Sequence, residues 1–158
     1  MAKTGDYGKN LEALERIMAC LNTQYEIIGK GSTGLLYQAG KDVGKTDGMA
    51  FDRTDDIATA IRLIKEGKKD VWNVEVWTES GQSETILKEE DYEKVFAVFR
   101  ECPIRQVCVS QGVEQNSAMC RIAHGYYAGL LASIIEKRVD VKVVEVGPNA
   151  CKKEIIWR

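Results

Sequence analysis

The order of predicted elements indicates an α+β fold, with N-terminal helices followed by an antiparallel sheet, one long buried helix and a C-terminal hairpin. Three observations predict it. Helical periodicity dominates residues 10–66, strand-like patterns dominate 71–101 and 139–157, and a long apolar helical stretch at 117–137 separates the two groups of strands. The 158 residues suffice for one domain with its own core.

The first half of the chain contains three predicted helices. Apolar residues recur at helical spacing in 10–21, and a helix with internal glycines is expected over 33–44. Residues 45–48 are interpreted as a turn. The third helix covers about 55–66, with Thr54 or Asp55 as its N-cap and a stop at Gly67.

The second half contains the strands. Strand-like composition occurs in five segments, which are residues 71–77, 84–89, 94–101, 139–146 and 151–157. We expect the first two to form a hairpin around the turn at 80–83, and the last two another around 147–149. Pro103 ends the third strand, and 104–116 is expected to be a polar loop.

Composition and charge exclude several classes of function. The chain is 44% apolar and 29% charged, as in globular proteins, and its net charge of −2 argues against a general nucleic-acid surface. No apolar run is long enough for a membrane span, and the polar first ten residues lack the apolar core of a secretory signal. We therefore expect a cytoplasmic protein.

A candidate metal site lies in the last forty residues. Cys120 and His124 are four residues apart in the apolar helix, so they share one helix face. With Glu145 at the end of a strand and Cys151 in the last strand, they could supply four ligands to a tetrahedral metal site. In the simpler interpretation, His124 is a core residue hydrogen-bonded to Glu145. A catalytic Cys–His pair is a third, less favoured possibility, because no oxyanion hole is visible.

The remaining cysteines fit no disulfide framework. The five cysteines are Cys20, Cys102, Cys108, Cys120 and Cys151, an odd number without a secretion signal. The five-residue gap between Cys102 and Cys108 exceeds the usual zinc-knuckle spacing. Core cysteines near a strand end are therefore as good an interpretation of both residues as metal ligands.

Two glycine-rich segments resemble phosphate-binding motifs. Residues 29–34 spell G-x-G-x-x-G after a short strand-like run at 25–28, but a parallel βαβ unit does not follow. Residues 40–46 resemble a phosphate-binding loop, with Ala39 in place of the first glycine. Nucleotide binding is therefore disfavoured.

The long helix is apolar around most of its circumference, so it must be covered on two sides. An ordinary core is the simplest interpretation. The alternative is a pocket for an apolar ligand, lined by Tyr126, Tyr127, Leu130, Trp77 and Phe99.

Together these features resemble the 4-vinyl reductase-like, or hydrocarbon-binding, domain family. The resemblance is carried by Cys120-x4-Gly125-x3-Gly129-Leu-Leu, the strand ending at Glu145 and the closing Cys151. Cys102-Pro103 and the glycine helix from Leu36 to Gly44 support it. It covers residues 29–157, so 1–28 is expected to be a helical segment packed on a domain of residues 29–158. It implies a fold related to TRAPP subunits and to phenol-sensing activator domains.

The resemblance also implies a function. A stand-alone, homodimeric protein would bind a small hydrophobic molecule in a buried pocket, as a sensor or carrier. A structural zinc ion would be held by Cys120, Glu145 and Cys151. Pro148 stands where the family has a further cysteine, which His124, Cys102 or Cys108 would replace, with His124 the most natural substitute because it shares a helix face with Cys120. The helix glycines would be close-packing positions. Two alternatives stay open: a reductase of a vinyl or conjugated substrate, and a homodimeric interaction module without ligand. An enzyme is the less favoured class, because no credible flavin or nicotinamide site is visible.

Overall fold

The described part of this computed structural model comprises residues 12, 14–18, 20, 27–29, 31–67, 73–78, 80–81, 83–112, 114–116 and 118–158. Its helices are α1 (Ser32–Gly48), α2 (Ile57–Gly67), α3 (Pro103–Ser110) and α4 (Ala118–Ile135). Its strands are β1 (Asn73–Trp77), β2 (Leu87–Lys88), β3 (Glu93–Arg100), β4 (Val139–Val146) and β5 (Ala150–Trp157). Residues 12, 14–18 and 20 are also helical, in agreement with the helix predicted at 10–21. The predicted α+β class is confirmed.

The strands form one antiparallel sheet in the order β1-β3-β5-β4, and β2 pairs with the beginning of β3. The predicted C-terminal hairpin is confirmed, because β4 pairs with β5. The predicted hairpin between the first two strands is wrong, since both pair with β3 instead. β3 is eight residues long and pairs with β5 along its whole length, so its other edge accommodates both short strands.

One face of the sheet carries the core. Val95, Ala97 and Phe99 of β3 point to this face, together with Ile155 and Trp157 of β5. The long helix α4 packs against them, and α2 adds an amphipathic contribution beside β1. The buried residues of α2 are Ile57, Ala60, Ile61 and Ile64, at the spacing of one helix face.

The opposite side of α4 is covered by α1, so the prediction that α4 is covered on two sides is confirmed. A Cβ atom on Gly44 would collide with the backbone carbonyl of Tyr126, and one on Gly129 would collide with that of Lys41. The two backbones are therefore in direct contact, which only glycine permits. The same restriction applies to Gly40, Gly48 and Gly125. The helix glycines are close-packing positions, as predicted.

Two element predictions are wrong for physical reasons. The predicted turn at 45–48 is the last part of α1, because Gly44 and Gly48 pack on α4 and keep the chain helical there. The predicted loop at 104–116 begins with α3, where Pro103 occupies the first turn of the helix and Cys102 is the N-cap. Proline is well tolerated at that position, because the first backbone N–H groups of a helix have no intrahelical acceptor.

Smaller differences concern helix starts. Asp56, rather than Thr54 or Asp55, caps α2, since its carboxylate accepts the backbone N–H of Thr59 at 2.8 Å. Ile27 and Ile28, which lie before the G-x-G-x-x-G segment, are helical rather than strand-like, and 25–26 lie outside the described residues. The segment therefore lacks the preceding strand of a dinucleotide site. None of the helices in the described ranges combines the length and apolarity needed to cross a bilayer.

Candidate ligand cavity

A cavity lies between the sheet and the N-terminal half of α4, with α3 on a third side. Strand residues on its wall are Phe99, Val143, Val146, Cys151 and Lys153. Helix residues on its wall are Ile104, Arg105 and Cys108 of α3, with Cys120, Ala123 and His124 of α4. Cys102, Gln115 and Asn116 complete the lining. The cavity measures about 20 Å³, which is room for about one water molecule.

The alternation of β5 sets which of its residues reach the cavity. Cys151 lies opposite Phe99 and Lys153 lies opposite Ala97, so both point to the face covered by α4. Lys152 points to the other face, where its ammonium lies 4.6 Å from the centroid of the Phe96 ring. Two adjacent lysines of one strand therefore meet opposite environments.

Cys120 and His124 both line the cavity, which confirms the expected shared helix face. His124 is only 2% exposed, and its Nδ1 has no hydrogen-bond partner among the described residues. Burial, together with the positive charges of Lys153 and Arg121, lowers the pKa of His124 to about 2. The imidazole is therefore neutral at physiological pH.

A β-bulge separates Glu145 from this site. The register of β4 against β5 shifts between Val143 and Glu145, so that Val143 lies opposite Lys153 but Glu145 lies opposite Lys152. The extra residue reverses which side chains face α4. Glu145 is therefore exposed on the outer face of the sheet, and His124 is not hydrogen-bonded to it.

Lys153 is the cavity residue that sequence reasoning missed. It is only 4% exposed, and its ammonium lies 3.9 Å from the centroid of the Phe99 ring. Burial lowers the pKa of Lys153, and the nearby Cys102, Cys120 and Cys151 partly offset that decrease. The signal was present in the strand pattern, because 153 alternates with the apolar Ile155 and Trp157 and so shares their face.

Four of the five cysteines line the cavity, and none is in a disulfide within the described residues. Burial raises the pKa of Cys120 to about 11, with the neighbouring Cys108 as the second cause. The cavity wall therefore carries the soft donors of a zinc site. However, no three His, Cys, Asp or Glu residues of the described chain are gathered closely enough to hold a metal ion. The four predicted ligands do not converge, because Glu145 lies on the other face.

The residues predicted to bind a ligand divide among four places. Phe99 lines the cavity. Tyr127 packs edge-on against the Phe99 ring with the centroids 4.8 Å apart, and Leu130 belongs to the core beside it. Trp77 is 44% exposed on the outer face of the sheet, near Glu145. It pairs with Phe96 and so alternates away from α4.

Tyr126 faces a second, outer groove of about 390 Å³ between α1, α3 and α4. Its hydroxyl donates a 2.5 Å hydrogen bond to Asp47 of α1. The groove is almost entirely apolar, and it shares Ile104 and Ala123 with the cavity. These two side chains are therefore the partition between the groove and the cavity.

Comparisons with known proteins place the fold. No protein-family model matches the chain, and no curated protein is significantly similar to it in sequence. A solved structure with a similar fold is that of the phenol-responsive sensory domain of the transcription activator PoxR with phenol. It has a TM-score of 0.60 and 15% sequence identity, and the match covers 89% of this chain and 73% of that chain. The expected relation in fold to phenol-sensing activator domains is confirmed, and membership of the 4-vinyl reductase-like family stays a prediction.

Proposed function

We propose that this protein is a small-molecule-binding domain of the sensory kind, whose ligand lies in the cavity between the sheet and α4. The observation that carries the proposal is the buried His124, whose Nδ1 faces a cavity without a hydrogen-bond partner among the described residues. Buried polar atoms are nearly always satisfied, so such an atom marks a place for a bound molecule or water. The fold shared with a phenol-responsive sensory domain supports this proposal.

The size of the cavity bears on the mechanism. A cavity of roughly 150 Å³ holds benzene, whereas this one measures about 20 Å³. A ring-sized ligand therefore requires the walls to separate. The partition of Ile104 and Ala123 is the proposed point of entry, because the apolar groove lies directly behind it. Entry there would move α3 away from α4, so that ligand binding becomes a change of shape that a partner domain can detect.

Paired leucine substitutions test the location of the ligand. Ala123→Leu fills the cavity wall, whereas Ala39→Leu adds the same bulk on the exposed side of the groove, away from the cavity. Calorimetric titration with phenol, indole and other small neutral aromatics should show binding to the wild type and to Ala39→Leu. Ala123→Leu should lose it. The proposal fails if no compound binds, or if Ala123→Leu binds as tightly as the wild type.

A structural zinc ion is a further part of this proposal. Cys120, Cys151 and His124 line one cavity with Cys102 and Cys108, and this donor chemistry suits zinc. Because no three of these described side chains are gathered closely enough to hold a metal ion, zinc binding would have to draw them together. The position of Glu145 argues against it as the fourth ligand. Metal analysis after purification without added metal should therefore find zinc lost in Cys120→Ala and Cys151→Ala but kept in Glu145→Ala. Loss in Glu145→Ala alone would contradict this assignment.

Homodimer formation is proposed on the outward side of α1. Leu35 is 75% exposed and Val43 57% exposed there. Large exposed apolar side chains on one helix are compatible with a covered interface. Sedimentation equilibrium should give a dimer that Leu35→Lys dissociates, and a monomeric wild type would contradict it. Reduction of a vinyl or conjugated substrate and a location in the cytoplasm stay predictions.

A further inference from the structure

The buried lysine of the cavity wall has no acidic residue beside it among the described residues. Lys153 is 4% exposed, and it makes no ion pair with any described residue. The titratable groups around it are Arg105, His124, Cys102, Cys120 and Cys151, and no Asp or Glu lines the cavity within the described residues. An ammonium group in such surroundings is strongly destabilised unless an anion joins it.

Two further polar groups point to the same missing partner. Arg105 Nε is buried without a hydrogen-bond partner among the described residues, as is Nδ1 of the 2%-exposed His124. Arg105 comes from α3 and Lys153 from β5, so donors reach the cavity from two elements. The neutral His124 of α4 can donate or accept there, and Gln115 adds an unpartnered acceptor, Oε1, to the same wall. An arginine nitrogen can only donate, and its preferred acceptors are anionic oxygens.

We propose that the ligand of this cavity is a small organic acid, with an apolar body and one anionic oxygen group that pairs with Lys153 and Arg105. The inference rests on the proposed function and specifies its ligand class. A carboxylate or a phenolate satisfies the same requirement, because both bring a negative oxygen into a site of low dielectric constant.

The apolar surroundings indicate where the body of the acid lies. Phe99 flanks Lys153 on the inner side of the cavity. Towards the outside, Ile104 and Ala123 separate the cavity from the apolar groove. An acid that enters between these two side chains reaches Lys153 with its charged group first and leaves its carbon skeleton among Ile104, Ala123 and the groove. The cavity would therefore select a hydrophobic acid over a small inorganic anion.

Acids and their neutral amides provide the test. Benzoate with benzamide, and hexanoate with hexanamide, are titrated calorimetrically into the full chain, its Lys153→Met variant and the matched control Lys152→Met. We expect the wild type to bind each acid about tenfold or more tightly than its amide, as a charge-assisted hydrogen bond predicts. Lys153→Met should remove that preference for the acid over its amide. Lys152→Met should preserve it, because Lys152 lies on the other face.

Other outcomes separate this inference from the proposed function. If neutral compounds bind in an Ala123-dependent way and acids bind no more tightly, the acid inference is overturned and the binding function stands. If neither acids nor neutral compounds bind, both are overturned. Arg105→Gln is a second variant with its own result, since it should also weaken acid binding while leaving the buried Lys153 in place. Unchanged acid affinity in both Lys153→Met and Arg105→Gln would refute the proposed ion pair.

Discussion

The two halves of α4 pack against the same sheet but have different surroundings. In the C-terminal half, Leu130, Leu131 and Ile134 have no exposed surface and pack among apolar neighbours. In the N-terminal half, Cys120 and His124 face a cavity with buried polar atoms. The difference shows that one half of the helix stabilises the fold, whereas the other gives up some stability to keep a polar site inside the protein.

The energetic contrast follows from burial. Removing apolar surface from water contributes roughly 25 cal/mol per Å², so the C-terminal half is a net source of stability. A buried polar atom without a partner costs about 1–3 kcal/mol instead. The N-terminal half contains one such atom, Nδ1 of His124, and faces the buried Lys153. Four predictions would sharpen or break this comparison.

The largest effect is expected in the C-terminal half. Leu131→Ala leaves a void among well-packed neighbours and should lower the free energy of unfolding by about 2–5 kcal/mol. Cys120→Ala, in the other half, should cost about 1 kcal/mol or less. Urea unfolding followed by circular dichroism measures both. Equal losses would mean that the two halves are packed alike.

The second effect depends on pH. The pKa of His124 is lowered from 6.5 to about 2 in the folded protein, so the unfolded chain binds one more proton between those pH values. Stability should therefore fall as the pH drops below 6.5, by up to about 1.4 kcal/mol for each unit. Chelator-treated wild type and His124→Leu are compared by urea unfolding between pH 7 and pH 4.5. An equally steep fall in His124→Leu would show that other groups cause it.

The third effect tests Lys153. Lys153→Met keeps an unbranched side chain, one atom shorter, but removes the buried amine, so it should raise the free energy of unfolding of the ligand-free protein by about 1–3 kcal/mol. Lys152→Met, on the outer face, loses its contact with the Phe96 ring and should change the free energy of unfolding by less than about 1 kcal/mol. Thermal unfolding at pH 7 distinguishes them. A destabilised Lys153→Met would indicate that the amine has a favourable partner in the free protein.

The smallest effect is expected for Glu145. Its side chain is exposed beyond the bulge of β4, so Glu145→Ala should shift the free energy of unfolding by no more than about 0.5 kcal/mol. It should also leave ligand affinity unchanged. A large loss of stability or of ligand affinity would place Glu145 in the site and contradict the register of β4.

Much of the fold was predictable because its signals are local. Periodicity located α1, α2, α4 and the C-terminal hairpin, and the spacing of Cys120 and His124 placed both on one helix face. The helix α3 was missed because Pro103 was interpreted only as the end of a strand, although proline also suits the first turn of a helix. The inward direction of Lys153 was predictable from alternation, but a lysine is normally expected on the outside.

The sequence by itself determined the α+β class, the apolar α4 and the glycines that let α1 touch it, because each depends on neighbouring residues along the chain. Only the tertiary structure decided the contents of the site. The bulge between Val143 and Glu145 moved one predicted ligand to the outer face, and the register of β5 brought Lys153 inside. Such shifts arise from pairing between strands, and a displacement of one residue reverses every side chain beyond it.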